Sequence, residues 1–297
     1  MRSHVLSGKP KPRLRFPWTP YLLIAPFILS FLLFFLYPAG YSLYLSFTKF
    51  NGLGMPKWVG IANFTALFQY GFFWKAVQNT LFYMVAGIIP ATVLSFSIAY
   101  AIHSPCAKYP SLYKMCIYLP QTMAAVASSL VFVVIFGTKS GVLNRLLGLS
   151  VPWLEKAPYT PWAVVILITW RGIGWYMLVY LSGLATLDVS MLESARVDGA
   201  NGLQVLLRIV VPMMRPIFAY TIVVGSINSL KIYTEPRVLL TQVASLPPAV
   251  QPVVGMLVNN VQSGIFGMAS AIGWILFVLI FLIYQIFYVG FGFGREE

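Results

Sequence analysis

The sequence is short of charge, above all of negative charge. Only 9% of its 297 residues are Asp, Glu, Lys or Arg, and just seven are acidic. A soluble domain carries about 25% charged residues. The two histidines, His4 and His103, lack a metal-ligand spacing, and no pair of carboxylates stands where acid–base catalysis would need one. Gly8-Lys9 runs into Pro10 without an earlier glycine, so no phosphate-binding loop is present and any nucleotide must be hydrolysed by another chain. The two cysteines, Cys106 and Cys116, cannot form a disulfide framework and read as free thiols. These shortages exclude most enzyme classes.

What is abundant is apolar length. Hydrophobic residues make up 59% of the chain and mean hydropathy is +0.81, which places it among polytopic membrane proteins. A hydrocarbon core of about 30 Å takes about 20 helical residues. On that measure six spans are expected, near 21–45, 76–103, 113–136, 162–184, 212–233 and 268–290. The fold class expected is therefore all-α and transmembrane. Residues 1–18, with Lys9, Lys11, Arg13 and Arg15 among prolines, read as a cytoplasmic tail, and residues 19–297 as the membrane domain. The stretch from Tyr21 to Leu45 is too long for a cleavable signal and reads as a first span. Basic residues are in modest excess on the side of the N-terminal cluster, which puts both termini inside. The net charge of +13 comes from residues flanking apolar runs. It does not form the patch on a soluble fold that nucleic acid would require.

One polar stretch interrupts this pattern, from about 188 to 212. Ser190 and Glu193 have capping-box spacing, so a short helix is expected from about Met191. Gly199 follows after about two turns, where a glycine can take the left-handed conformation that ends a helix. A second helix is expected from about Leu203, with Pro212 and Pro216 at the mouth of the next span.

Glu193-Ser194-Ala195-x-x-Asp198-Gly199-Ala200, followed by Ile209-x-x-Pro212, resembles the coupling loop, often called the EAA loop, of permease subunits of binding-protein-dependent ABC importers. Leu119-Pro120, Gly141-Val-Leu-Asn144, Trp170 with Gly172 and Gly174, and Gly267-Met-Ala-Ser-Ala271 extend the likeness to the first permease of maltose and glycerol-phosphate type sugar importers. After Tyr233 the chain departs from it, with Thr241-Gln-Val-Ala where Thr-Gly-Gly-Pro is usual. The resemblance implies the six-helix type I importer fold and a non-catalytic subunit of a heteromeric complex in the bacterial inner membrane. It implies as partners a second permease, an ATPase dimer that binds ATP and Mg, and an extracytoplasmic solute-binding protein, with no cofactor in this chain. It also implies that Glu193, Ser194, Ala195, Asp198, Gly199 and Ala200 couple to the ATPase.

Two cations, Arg171 and Lys231, fall inside expected spans. Arg171 lies nine residues into its helix, or about 13 Å along it, near mid-depth. A cation there faces a cavity or a partner. Trp175 shares its face at i+4, Gly172 offers close approach, and Asn228 shares a face with Lys231 at i+3. The resemblance implies that Arg171, Gly172, Trp175, Asn228 and Lys231 contact a saccharide. Two cations favour an acidic one, such as an oligouronide. A neutral oligosaccharide or glycerol phosphate is the alternative. A secondary transporter would carry acidic residues within its spans, and none was expected there.

Overall fold

Long apolar runs leave the backbone one way to satisfy its amides in lipid, which is to bond them within a helix. The computed structural model describes residues 18–104, 107–138, 141–240 and 247–291, and it is almost wholly helical. Two compact units are separated at residue 44. The first holds most of α1 (Pro20–Ser46), an apolar helix with one wider π turn over Leu32–Leu36. All that follows concerns the second unit, residues 45–297.

That unit opens on a two-stranded hairpin, β1 (Thr48–Lys49) and β2 (Lys57–Trp58), and a short helix, α2 (Ala62–Gln69). Then come α3 (Gly71–His103), α4 (Pro110–Thr122), α5 (Ala125–Ile135), α6 (Val142–Leu147) and α7 (Thr160–Leu184). The polar stretch holds α8 (Val189–Val197) and α9 (Gly202–Met213), and the chain ends with α10 (Arg215–Leu230), α11 (Thr234–Leu239), α12 (Val253–Gln262) and α13 (Phe266–Gly290). Among the described residues, α1, α3, α7 and α13 are each long and apolar enough to span a membrane, and the count reaches six if the bent pairs α4–α5 and α9–α10 are one span each. The expected all-helical membrane fold is thus the observed one.

Three boundaries differ from expectation. The run 113–136 is not one straight helix: α4 and α5 meet at 98°, because Met123 and Ala124 adopt extended ψ angles of 143° and 138° just after Pro120. The fifth span begins at Arg215 rather than Pro212, after a 63° bend. Pro216 has no amide to give the carbonyl of Pro212, and its ring crowds that carbonyl. That span also ends at Leu230 rather than Tyr233. Residues 248–253, between the last two expected spans, are pinned to α3. Asn79 Nδ2 donates to the carbonyls of Pro248 and Gln251, Tyr83 OH donates to Val250 O, and the Val253 amide donates to Thr80 Oγ1. Thr241-Gln-Val-Ala and Cys106 lie outside the described residues, whereas Cys116 is a free thiol.

α7 runs through the middle of this unit and joins two apolar clusters. Its first half, with Ala163, Val164 and Leu167, packs with Tyr83, Phe132, Phe136, Leu239 and Val250. Its second half, with Met177, Tyr180 and Leu184, packs with Ala91, Ala99, Val205, Val210 and Met214. Residues 171–175 fall at the seam.

Candidate functional site

At that seam lies a cavity of about 460 Å³. Arg171, Gly172, Trp175 and Tyr176 of α7 form one wall, and Asn228 and Ser229 of α10 face them. Lys231, Tyr233, Thr234 and Glu235 close the side where α10 gives way to α11, and Gln121 reaches in beside the α4–α5 bend. The five residues singled out in the sequence, Arg171, Gly172, Trp175, Asn228 and Lys231, therefore line one space. Lys231 is not a helical residue, however. It caps the C-terminus of α10 at φ −97°, ψ 8°, and its amide donates to the carbonyls of Asn228 and Ser229.

Arg171 stands eleven residues into α7, about 16 Å from its start. Its Nη1 donates to Glu235 Oε1 in a salt bridge, with the two side chains 19% and 14% exposed. This corrects the expectation that Arg171 and Lys231 are the only charges at membrane depth. The acidic partner that a membrane arginine calls for sits 64 residues away in sequence, in the first turn of α11 and beyond the expected fifth span. Arg171 Nε is buried and has no hydrogen-bond partner among the described residues. Lys231 has no carboxylate partner among them. The lining thus holds two basic side chains, Arg171 and Lys231, and one acidic side chain, Glu235.

Gly172 faces the cavity with only the Tyr176 ring nearby, 3.4 Å from where a Cβ would stand. The tight position is Gly174, whose Cβ would lie 2.6 Å from Ile117 O and 2.7 Å from Tyr118 Cα. There the α4 backbone lies directly on α7. Tyr176 crosses to α10, where its hydroxyl occupies the space a Cβ on Gly225 would need. Trp175 packs edge-on against Tyr176, with ring centroids 5.0 Å apart. Trp170, by contrast, packs on Phe132 and lines the apolar cluster rather than the cavity. Aromatic faces, amides, hydroxyls and an ion pair make a surface that can stack on a ring and satisfy several hydroxyl groups.

The polar stretch forms the second candidate site. Gly199 takes φ +85°, the left-handed turn expected of it. The expected capping box does not form at Ser190 and Glu193, since α8 already starts at Val189 and Ser190 lies within it. The cap is Asp188, whose Oδ1 accepts from the Ser190 amide at 2.9 Å, while Ser194 Oγ donates to Ser190 O. Hydrogen bonds from the Ser190 hydroxyl and amide hold the Asp188 carboxyl below its ordinary value. A reciprocal box does form one helix later: Asn201 Oδ1 accepts from the Gln204 amide, and Gln204 Oε1 accepts from the Asn201 amide.

The two faces of α8 differ. Leu192 and Ala195, with Ala200 beyond the turn, pack against the cluster around Met177 and Leu184. Glu193, Ser194 and Asp198 line an open hollow, and Asp198, Gly199 and Ala200 border another with Arg208. Of the six residues in the coupling motif, Glu193, Ser194, Asp198 and Gly199 are exposed.

Comparisons with known proteins agree in kind. Residues 91–291 match the family described as "Binding-protein-dependent transport system inner membrane component". The Bacillus subtilis (strain 168) protein described as "Probable ABC transporter permease protein YesP" is 31% identical over 272 residues, covering 89% of this chain and 87% of that one. The lactose transport system permease protein LacF of Rhizobium radiobacter is 30% identical over 72% of this chain and 74% of its own. Among solved structures, a chain of a bacterial ABC transporter involved in the import of the acidic polysaccharide alginate superposes with TM-score 0.79 at 23% identity, over 94% of this chain and 96% of that one. At that identity the likeness concerns the fold.

Proposed function

From the premise that the chain belongs to the binding-protein-dependent transport system inner membrane components, as a non-catalytic permease subunit of a sugar ABC importer, we propose that the α7–α10–α11 cavity is its half of the sugar pathway and takes an acidic oligosaccharide. The carrying observation is that Arg171, Trp175, Asn228 and Lys231 line one cavity at the seam of the two clusters. Trp175 and Tyr233 offer ring faces, and Asn228, Gln121 and Ser229 offer groups that match sugar hydroxyls. Lys231, free of any carboxylate in this chain's described residues, supplies a cation for a uronate or similar group.

The assembly proposed is one permease of a pair in the inner membrane, its termini cytoplasmic, with an ATPase dimer holding ATP and Mg below and a solute-binding protein above. No cofactor belongs to this chain. Glu193, Ser194, Asp198 and Gly199 meet the ATPase, and Ala195 and Ala200 carry its movement into α7 through the cluster they pack on. Alternating access then opens the cavity to each side in turn.

A second reading, a neutral oligosaccharide, is favoured by Glu235, which already neutralises Arg171. Uptake by reconstituted vesicles carrying the complete importer separates the two. For an acidic sugar, Arg171→Ala both removes the guanidinium and leaves Glu235 facing the substrate. A loss of about 2 kcal/mol or more, roughly thirtyfold, is expected, with Lys231→Ala milder because that side chain is exposed. Equal wild-type uptake of acidic and neutral sugars, or no loss in either variant, would refute the acidic reading.

A further inference from the structure

The Arg171–Glu235 pair is built in an unequal way. Arg171 projects from the middle of a 25-residue helix packed along α3. Glu235 projects from the first turn of the six-residue α11, joined to α10 through the non-helical residues Lys231–Tyr233. One partner is fixed to the scaffold, and the other stands on a short segment next to a break. The contact is also incomplete, because Glu235 engages Nη1 alone while Nε is buried without a partner among the described residues. A guanidinium has five N–H donors and suits a two-pronged acceptor. An acceptor with two oxygens would meet more of that need than Glu235 does.

We infer that Glu235 is a built-in competitor for Arg171 that sets the charge selectivity of the cavity: it neutralises the guanidinium in the empty pathway, and an anionic group on the substrate must displace it. This deepens the saccharide reading and rests on it. The physical reason is repulsion, since a substrate carboxylate brought to Arg171 while Glu235 remains would set two like charges within a few ångströms in a half-buried site. Neutral sugars meet no such barrier and use the pair as donor and acceptor. Glu235 thus penalises acidic substrates relative to neutral ones. Glu235 is a specificity-determining residue in this account.

The test is paired uptake by vesicles holding the complete importer, using short oligogalacturonides and neutral oligogalactosides of equal length, for wild type, Glu235→Gln and Glu235→Asp. Glu235→Gln removes the competing charge, so the ratio of acidic to neutral uptake is expected to rise about tenfold. Glu235→Asp keeps the charge and is expected to stay near the wild-type ratio. If Glu235 only braces α11, both variants lower both uptakes alike and the ratio stays constant, which would overturn the inference while the saccharide reading stands. A wild type that transports neither sugar removes the saccharide reading, and the inference falls with it.

Discussion

Gly174 and Gly199 are both glycines the protein cannot easily replace, and the reasons differ between the two regions they serve. In the cavity wall, Gly174 has ordinary helical angles but no room, with α4 backbone atoms at 2.6 and 2.7 Å from an added Cβ. In the polar stretch, Gly199 has open space on every side yet sits at φ +85°. The cavity is therefore held by tertiary packing between helices. The loop's turn is set by local backbone geometry and its first helix by a cap, and Glu193, Ser194, Asp198 and Gly199 are exposed on the side away from the α7 cluster. A region shaped from within its own chain suits a binding site. One that is locally stiff and exposed on one side suits contact with another subunit.

The sharpest way to break this contrast is to give each glycine the same new side chain. Gly174→Val drives a branched side chain into backbone that cannot move aside, and overpacking of this kind costs about 1–3 kcal/mol or more. The largest effect of all is expected here, as loss of folded permease in detergent-solubilised membranes, measured by size-exclusion profile and thermal unfolding. Should Gly174→Val fold normally, close contact of α4 and α7 would not be what holds the wall.

Gly199→Val comes next, since a β-branched residue in the left-handed region is strained by about 1–3 kcal/mol. The strain is local, so the permease is expected to fold and insert yet lose substrate-stimulated ATP hydrolysis in the assembled complex. Gly199→Asn is the control, because asparagine tolerates that conformation and the site has space for it. It should retain most activity. If valine and asparagine are equally harmful, the backbone angle is not the reason for the glycine.

The two regions were also unequally legible. Long apolar runs announced the spans within a few residues, and Gly199 announced its own turn, because those signals are local. Glu235 was missed because a tertiary ion pair leaves no periodic trace. The only clue was a rule of economy, that a cation at membrane depth seeks a partner among the few acidic residues of the chain. The α4–α5 bend was masked in the same way, since hydropathy reads straight through Met123 and only Pro120 hinted at a break. The residues of the Gly141-Val-Leu-Asn144 motif proved to be a structural staple. Asn144 Nδ2 donates to Thr138 O and Val151 O, and its Oδ1 accepts from Trp153 Nε1.

The smallest expected effects separate two roles, cap and subunit contact, that the sequence reading gave to Glu193 alone. Ser190 and Glu193 have the spacing of a capping box, but Asp188 precedes the first helical residue and takes the cap. Glu193 is thus released from holding its own helix, and its charge can be tested alone. Glu193→Gln is expected to leave α8 intact while weakening pull-down of the ATPase, and unchanged assembly would remove Glu193 from the docking surface. Asp188→Ala is expected to do the reverse, leaving assembly near normal and speeding amide hydrogen exchange over the first turn of α8. Asp188→Asn should be nearly silent, because asparagine caps as well as aspartate. The pH dependence follows from the lowered carboxyl. A group whose folded value lies below its ordinary 3.8 contributes stability that is complete above that ordinary value and lost only as pH falls through the lower one. Exchange protection of the Ser190 amide, corrected for the intrinsic rate, should therefore stay flat between about pH 5 and 8. Protection that falls within that window would mean Asp188 is not the cap, and the division of labour between the two acids would have to be redrawn.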